Sequence, residues 1–202
     1  MQAELNHLRA NSIALIQADL LDVAKLPSLV EQTVQTFGRL DALVNNAATF
    51  YATTIGEIAV EQWNDLIGTN LQAPLFLAQA AAPALRKTQG AIVNITDIHA
   101  DRPLKSYVVY SVAKAGLVGL TRSLARELAP EVRVNAIAPG PILWPDEEVF
   151  DELARQRIIS HTPLKREGAP DDIAKAVHYL LADAPYVTGE TINVDGGRHI
   201  AL

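Results

Sequence analysis

Tyr110 and Lys114 stand four residues apart in Tyr110-Ser-Val-Ala-Lys114. On a helix that spacing puts both side chains on one face, one turn apart. An ammonium held beside a phenol favours the phenolate and lowers the tyrosine pKa from its ordinary ~10. Such a pair is expected to act as a general acid or base near neutral pH. Tyr-x-x-x-Lys alone is common on solvated helix surfaces, so its weight rests on what stands around it. Asn94-Ile-Thr-Asp97 ends an apolar run and places Asp97 thirteen residues before Tyr110. Leu43-Val-Asn-Asn-Ala47 reads as a strand running into a tight polar turn. Val132-Arg-Val-Asn-Ala-Ile-Ala-Pro-Gly140 reads as a strand ending in a Pro-Gly loop. All three strand ends bring small or polar residues to one edge, and in an open parallel sheet the carboxyl ends of the strands form the ligand crevice.

The elements that must position these residues alternate in type. Candidate strands are Ile13–Gln17, Ala42–Asn45, Ala91–Ile95, Arg133–Ile137 and Thr191–Val194. Between them, apolar residues recur at helical spacing over Leu26–Phe37, Val60–Leu85, Val108–Leu128 and Asp171–Leu181. Alternation at this spacing predicts right-handed βαβ units and a parallel sheet covered on both faces. Gly38 is placed to cap the helix that ends at Phe37. Pro170, Asp171 and Asp172 suit the first turn of another. The least regular stretch runs from Pro139 to about Pro145, with a helix-like piece on to Ser160, and reads as a flexible insertion over a site. No repeat, low-complexity tract or linker interrupts the 202 residues, which suit one α/β domain.

Composition excludes several function classes. A net charge of −6 argues against a nucleic-acid surface, which needs Lys and Arg against phosphate. Without cysteine there is neither a disulfide nor a thiolate metal site, and the five histidines show no metal-ligand spacing, so no metal is expected. No apolar run approaches the ~20 residues that span a bilayer. Met1–Arg9 reads as a polar amphipathic helix rather than a signal peptide. No membrane partner is expected, and a cytoplasmic location follows by default.

Asn45-Asn46-Ala47, the Tyr110/Lys114 pair, Arg133-Val-Asn135 with Pro139-Gly140, and Thr188-Gly189 with Val194-Asp-Gly-Gly197 resemble, in order, the landmarks of the short-chain dehydrogenase/reductases. The resemblance implies a Rossmann-type doubly wound parallel sheet with helices on both faces, and hydride transfer from a nicotinamide cofactor. Tyr110 would donate the proton, and Lys114 would bind the nicotinamide ribose. Asn70, in Gly68-Thr-Asn-Leu71, matches the family's water-holding asparagine; the alternative is an ordinary polar helix residue. Asp19 and Leu20 match the adenine-contacting position, with helix capping as the competing role for Asp19. Asn46 and Ala47 match the turn beside the adenosine, Pro139 and Gly140 the loop after the strand, and Ile142 the residue whose backbone meets the carboxamide.

Two departures sharpen the resemblance. Most members carry a serine where this chain has Asp97, and a carboxylate would repel the negative charge that develops on a ketone oxygen. It suits a nitrogen heterocycle bearing N–H and amino groups. Asn45-Asn-Ala-Ala-Thr-Phe-Tyr51 also places Phe50 at the crevice, where its ring could stack on a flat substrate or simply pack in the core. Together these resemble the pteridine reductases and dihydromonapterin reductases. That implies NADPH-dependent reduction of a pterin or folate-like substrate, with NAD left open as cofactor. Phe50, Asp97, Tyr110 and Trp144 would line the substrate site; Trp144 stands where the family usually has a threonine, and its indole either walls the pocket or only covers the core. Family members are usually homotetramers, and the helices after Ala59 and Tyr107 that commonly build that interface are present. The rivals are a reductase of ketones, sugars or 3-oxoacyl thioesters, and a remnant able only to oligomerise. The family's first two strands and Gly-rich phosphate loop have no counterpart in the sequence. The expectation is thus a chain truncated at its N-terminus, with the Ile13 strand left without a neighbour.

Overall fold

The computed structural model describes residue 9, residues 12–144 and residues 150–201. The helix expected over the first nine residues falls, Arg9 apart, outside the described residues. A 3-10 turn at Val23–Lys25 leads into α1 (Leu26–Phe37), which Gly38 closes in the left-handed region at φ 76°. Its N–H donates to the Val34 carbonyl at 2.7 Å, the bond a C-cap glycine is placed to make. There follow β1 (Ala42–Asn45), α2 (Val60–Ile67), a π turn (Gly68–Gln72), α3 (Ala73–Thr88), β2 (Ala91–Ile95) and α4 (Val108–Leu128). The second half holds β3 (Arg133–Pro139), α5 (Glu152–His161), α6 (Pro170–His178) with a π turn at Tyr179–Asp183, β4 (Thr191–Val194) and α7 (Arg198–Ala201).

The four strands form one parallel sheet in the order β1-β2-β3-β4. Apart from Asn94, strand β2 is apolar on both sides, as suits a strand with both faces covered. Ile92 and Val134, paired in register, pack on one side against Leu26, Leu77, Leu85 and Leu128. Val93 and Ile137 pack on the other side with Leu180 and Ala184. Each such fully buried aliphatic side chain is worth about 1.5–3 kcal/mol of transfer free energy. Helix α4 ends at Leu128 because Ala129, held extended at ψ 150°, precedes Pro130, which disfavours the helical conformation there. At the start of α6, the Asp172 carboxylate accepts the Ala169 N–H at 2.9 Å, as an acid in the first turn should.

Two expectations are corrected. Residues Ile13–Gln17 form no strand. Among the described residues β1 pairs with β2 alone, and a run with β-type composition has no ladder hydrogen bonds to gain without a neighbouring strand. The helical stretch expected over Val60–Leu85 is broken by the π turn at Gly68–Gln72, a departure that often marks a functional position. Asn70 sits inside it. Among the described residues no helix is long and apolar enough to cross a membrane, and no group of three or more His, Cys, Asp or Glu is placed to hold a metal.

Candidate active site

The site is built at the carboxyl ends of β1, β2 and β3. Beyond Ile95 the chain continues in register long enough for the Thr96 N–H and hydroxyl both to donate to the Ile137 carbonyl, at 2.7 and 2.8 Å. This brings Asp97 to the sheet edge in an extended conformation, at φ −167°. One Asp97 oxygen accepts the His99 N–H at 2.8 Å, and the other accepts the Tyr110 hydroxyl at 2.7 Å. Tyr110 comes from the first turn of α4, which is anchored where the Thr53 hydroxyl accepts the Val109 N–H at 3.2 Å. Tyr110 and Lys114 are 5% and 3% exposed, so both are held in low-dielectric surroundings.

The lysine does not act on the tyrosine as its spacing suggests. Lys114 Nζ donates to the Ile95 carbonyl at 2.9 Å and lies 5.6 Å from the Tyr110 ring centre. Burial, and then the Asp97 carboxyl that receives its hydroxyl, push the phenol well above its ordinary value. The expected lowering is thereby reversed: Tyr110 carries its proton across the neutral range, as a weaker acid than a free phenol. Burial pulls Lys114 down to about 8, opposed by the attraction of Asp97.

Behind this cluster runs a buried polar chain: Asn45 Nδ2 donates to Asn94 Oδ1 at 2.7 Å, and Asn94 Nδ2 to the Thr121 hydroxyl at 2.9 Å. It ties β1, β2 and α4 together just beneath the site. Asn70 is 1% exposed. Its Nδ2 donates to the Leu66 and Thr49 carbonyls at 2.9 and 3.0 Å, while its Oδ1 is buried and has no hydrogen-bond partner among the described residues. A buried acceptor left unpaired is costly, so Asn70 Oδ1 is a position at which a proton-bearing group would be stabilised.

Above Asp97 and Tyr110 opens a crevice of ≈ 660 Å³, lined among others by Asn46, Phe50, Gly140, Leu143, Trp144 and Phe150. Phe50 lies face to face on Tyr107 (centroids 4.6 Å apart, planes at 16°) and edge-on to Tyr110 at 4.8 Å, so it both packs and lines the wall. Trp144 is fixed by its Nε1 donating to Glu167 Oε2 at 2.5 Å, by the Phe150 ring at 5.9 Å and by the Arg155 guanidinium at 5.7 Å. Pro139 and Gly140 reach the crevice because Gly140 N–H donates to the Val194 carbonyl, locking the loop onto β4. A Cβ on Gly140 would stand 2.6 Å from the Asp195 Cβ and 2.7 Å from its Cα. Gly140→Ala is therefore expected to cost about 1–3 kcal/mol by overpacking. A thermal melt checks it, and an unchanged Tm would show that the β4 end yields freely.

The remaining predicted positions are spread wider. Asn46 and Ala47 line a second cleft, of ≈ 340 Å³, along the open side of β1, together with Leu20. Asp19 is exposed, and its carboxylate accepts the Leu21 N–H at 2.9 Å, closing its own turn. Two residues after Gly140 of the crevice wall, the Ile142 side chain lines a neighbouring cavity beside Gly168 and Asp195. Sequence reasoning missed His99, whose backbone holds Asp97, and Arg198, which lines the crevice from the far end of the chain. His99 follows the strand end directly and could have been found. Arg198 gave no signal except that it directly follows the Asp-Gly-Gly turn.

Comparison with known proteins gives consistent results. A family model described as enoyl-(acyl carrier protein) reductase matches residues 2–199. A 3-oxoacyl-(acyl-carrier-protein) reductase FabG of Staphylococcus aureus strain Mu50 is 36% identical over 188 residues, covering 92% of this chain and 76% of the relative. The protein of the same name from Thermotoga maritima is 35% identical over 182 residues, covering 89% and 74%. Among solved structures, a Brucella melitensis protein described as short-chain dehydrogenase/reductase SDR:glucose/ribitol dehydrogenase superposes with a TM-score of 0.90 at 33% identity, covering 98% of this chain and 81% of that one.

Proposed function

The chain belongs to the short-chain dehydrogenase/reductase family, an oxidoreductase family, and from that premise we propose that it reduces a C=N bond of a pterin or folate-like heterocycle with NADPH. The observation that carries this reading is the Asp97 carboxyl receiving the Tyr110 hydroxyl at 2.7 Å in a crevice walled by Phe50 and Trp144. An acid at this place opposes an oxyanion and suits ring N–H and amino groups. The donor set fits the nicotinamide end of a dinucleotide. Lys114 has N–H donors beyond the one given to Ile95, the Tyr110 hydroxyl is adjacent, and Asn46, Pro139 and Gly140 border the same space. When bound, the cofactor supplies the hydride that the ring carbon takes.

The protein's part is to orient the ring and to move one proton. Phe50 offers an apolar face to the substrate plane. Asp97 accepts from its polar edge, held in place by the His99 N–H. As the C=N electron pair moves to nitrogen, Tyr110 gives that nitrogen its proton, which its raised pKa keeps available across the neutral range. Asn70, whose Oδ1 is unpaired among the described residues, would serve a relay toward solvent. Assembly as a homotetramer belongs to the same reading, supported by the apolar Trp63, Leu75, Val108 and Val112 left exposed on α2, α3 and α4.

A second reading, reduction of a 3-oxoacyl thioester, is favoured by the names of the relatives, which by similarity alone support it better than pterin reduction. The two are separated by offering the chain and NADPH a dihydropterin and acetoacetyl-CoA in parallel and following NADPH absorbance. Turnover of the pterin is the expected result. Turnover of the thioester without the pterin overturns the first reading and leaves the second.

A further inference from the structure

Arg198 opens α7 directly after two glycines in the left-handed region, Gly196 at φ 64° and Gly197 at φ 84°, and that turn swings it into the crevice occupied by Asp97 and Tyr110. It is half-buried, and its Nη1 donates to the Ile158 carbonyl on α5 at 3.1 Å. Among the described residues, no carboxylate lies within 4.0 Å of the guanidinium. Asp195, the acid that influences it electrostatically, is already engaged by the Gly197 N–H, the His199 N–H and the His199 ring. The surrounding wall is apolar, with Leu104, Leu143, Trp144 and Phe150. A partly desolvated cation in such a place is stabilised by an anion that enters with the ligand. The planar fork of arginine matches a carboxylate or a phosphate with two parallel hydrogen bonds.

We propose that Arg198 is a specificity-determining residue that receives an anionic tail of the substrate, while Asp97 and Tyr110 hold the reacting end. The proposal rests on the crevice being the substrate site of a reductase, and it does not depend on which reductase. A pterin reductase would present the glutamate carboxylates of a folate, and a thioester reductase the phosphates of coenzyme A.

The test compares tailed and tail-free partners on the full chain and on Arg198→Gln, which keeps a donor for the Ile158 carbonyl, and Arg198→Lys, which keeps the charge. The pairs are dihydrofolate against a dihydropterin without a charged side chain, and acetoacetyl-CoA against acetoacetyl-N-acetylcysteamine. Binding is read from the fluorescence of Trp144 in the crevice wall, and KM is measured where turnover occurs. Hydrogen bonds to a charged group set the expected scale. Arg198→Gln should reduce the preference for the tailed member of one pair by about 10- to 100-fold, and Arg198→Lys should restore most of it. An effect on the folate pair alone identifies the carboxylate, and an effect on the coenzyme A pair alone identifies the phosphate; both support the proposal. Equal loss on tailed and tail-free partners, or an unchanged preference in Arg198→Gln for both pairs, overturns it. Loss of pterin turnover with a retained Arg198 effect on the thioester pair would defeat the pterin reading and leave this inference standing.

Discussion

Tyr110→Phe is expected to lower kcat/KM by about 10²- to 10⁴-fold, the range of a general acid removed from its transition state. The ring is retained, so the edge contact with Phe50 at 4.8 Å and the packing against Leu66 and Val109 persist, and the fold should survive. Ligand binding followed through Trp144 fluorescence should change far less than turnover, because what is lost is a proton rather than a wall. A fall of less than tenfold in kcat/KM would mean that another group, Asp97 foremost, delivers the proton. The pH profile of kcat/KM, which reports the groups of the free enzyme, carries the same argument. Burial and Asp97 keep Tyr110 a phenol well above its ordinary range, so it contributes no limb near neutrality. Lys114 is positively charged below about 8 and neutral above it. Reduction is therefore expected to hold up to about pH 8 and to decline as the ammonium is lost. In Lys114→Arg, whose guanidinium stays charged, that decline should be absent. A profile flat through pH 9 in the parent chain would refute the assignment.

Asp97→Ser should divide substrates by chemistry. On a pterin it removes the acceptor that holds the polar edge of the ring and frees the Tyr110 hydroxyl from its 2.7 Å bond. Turnover is expected to fall by about 10- to 100-fold, the cost of one strong hydrogen bond made at the reacting ring. On a ketone or 3-oxoacyl thioester the same change removes a repelling carboxyl beside the developing oxyanion and supplies a hydroxyl donor, so turnover should be kept or gained. NADPH consumption with each substrate class, in parent and variant, measures both arms. If Asp97→Ser reduces pterins as well as the parent does, the pterin reading loses its main support. If the variant loses thioester turnover that the parent shows, Asp97 serves the carbonyl reaction in a way that charge repulsion does not describe.

The local part of the design was legible in the residues. The ends of α1, β1, β2, α4 and β4 fall where periodicity and Gly38 put them, because caps, turns and side-chain alternation act over a few residues. Part of the chemistry-bearing set was placed by rules that act locally: Asp97 follows the carboxyl end of β2, where the Tyr110 hydroxyl reaches it, and Lys114 reaches the Ile95 carbonyl at the same strand end. Other features depended on partners distant in sequence. Ile13–Gln17 has strand composition and forms no strand, because a ladder requires a neighbour that composition does not specify. Spacing paired Tyr110 with Lys114; the fold instead gave the tyrosine hydroxyl to Asp97 and the lysine to the Ile95 carbonyl, reversing the direction of the tyrosine shift. Arg198, which no motif singled out, lines the crevice from the far end of the chain. A side chain's type and its place on a helix or strand follow from short-range sterics, which a sequence carries. Its hydrogen-bond partner, its desolvation and hence its proton affinity are set by groups brought close only when the sheet and its covering helices pack together.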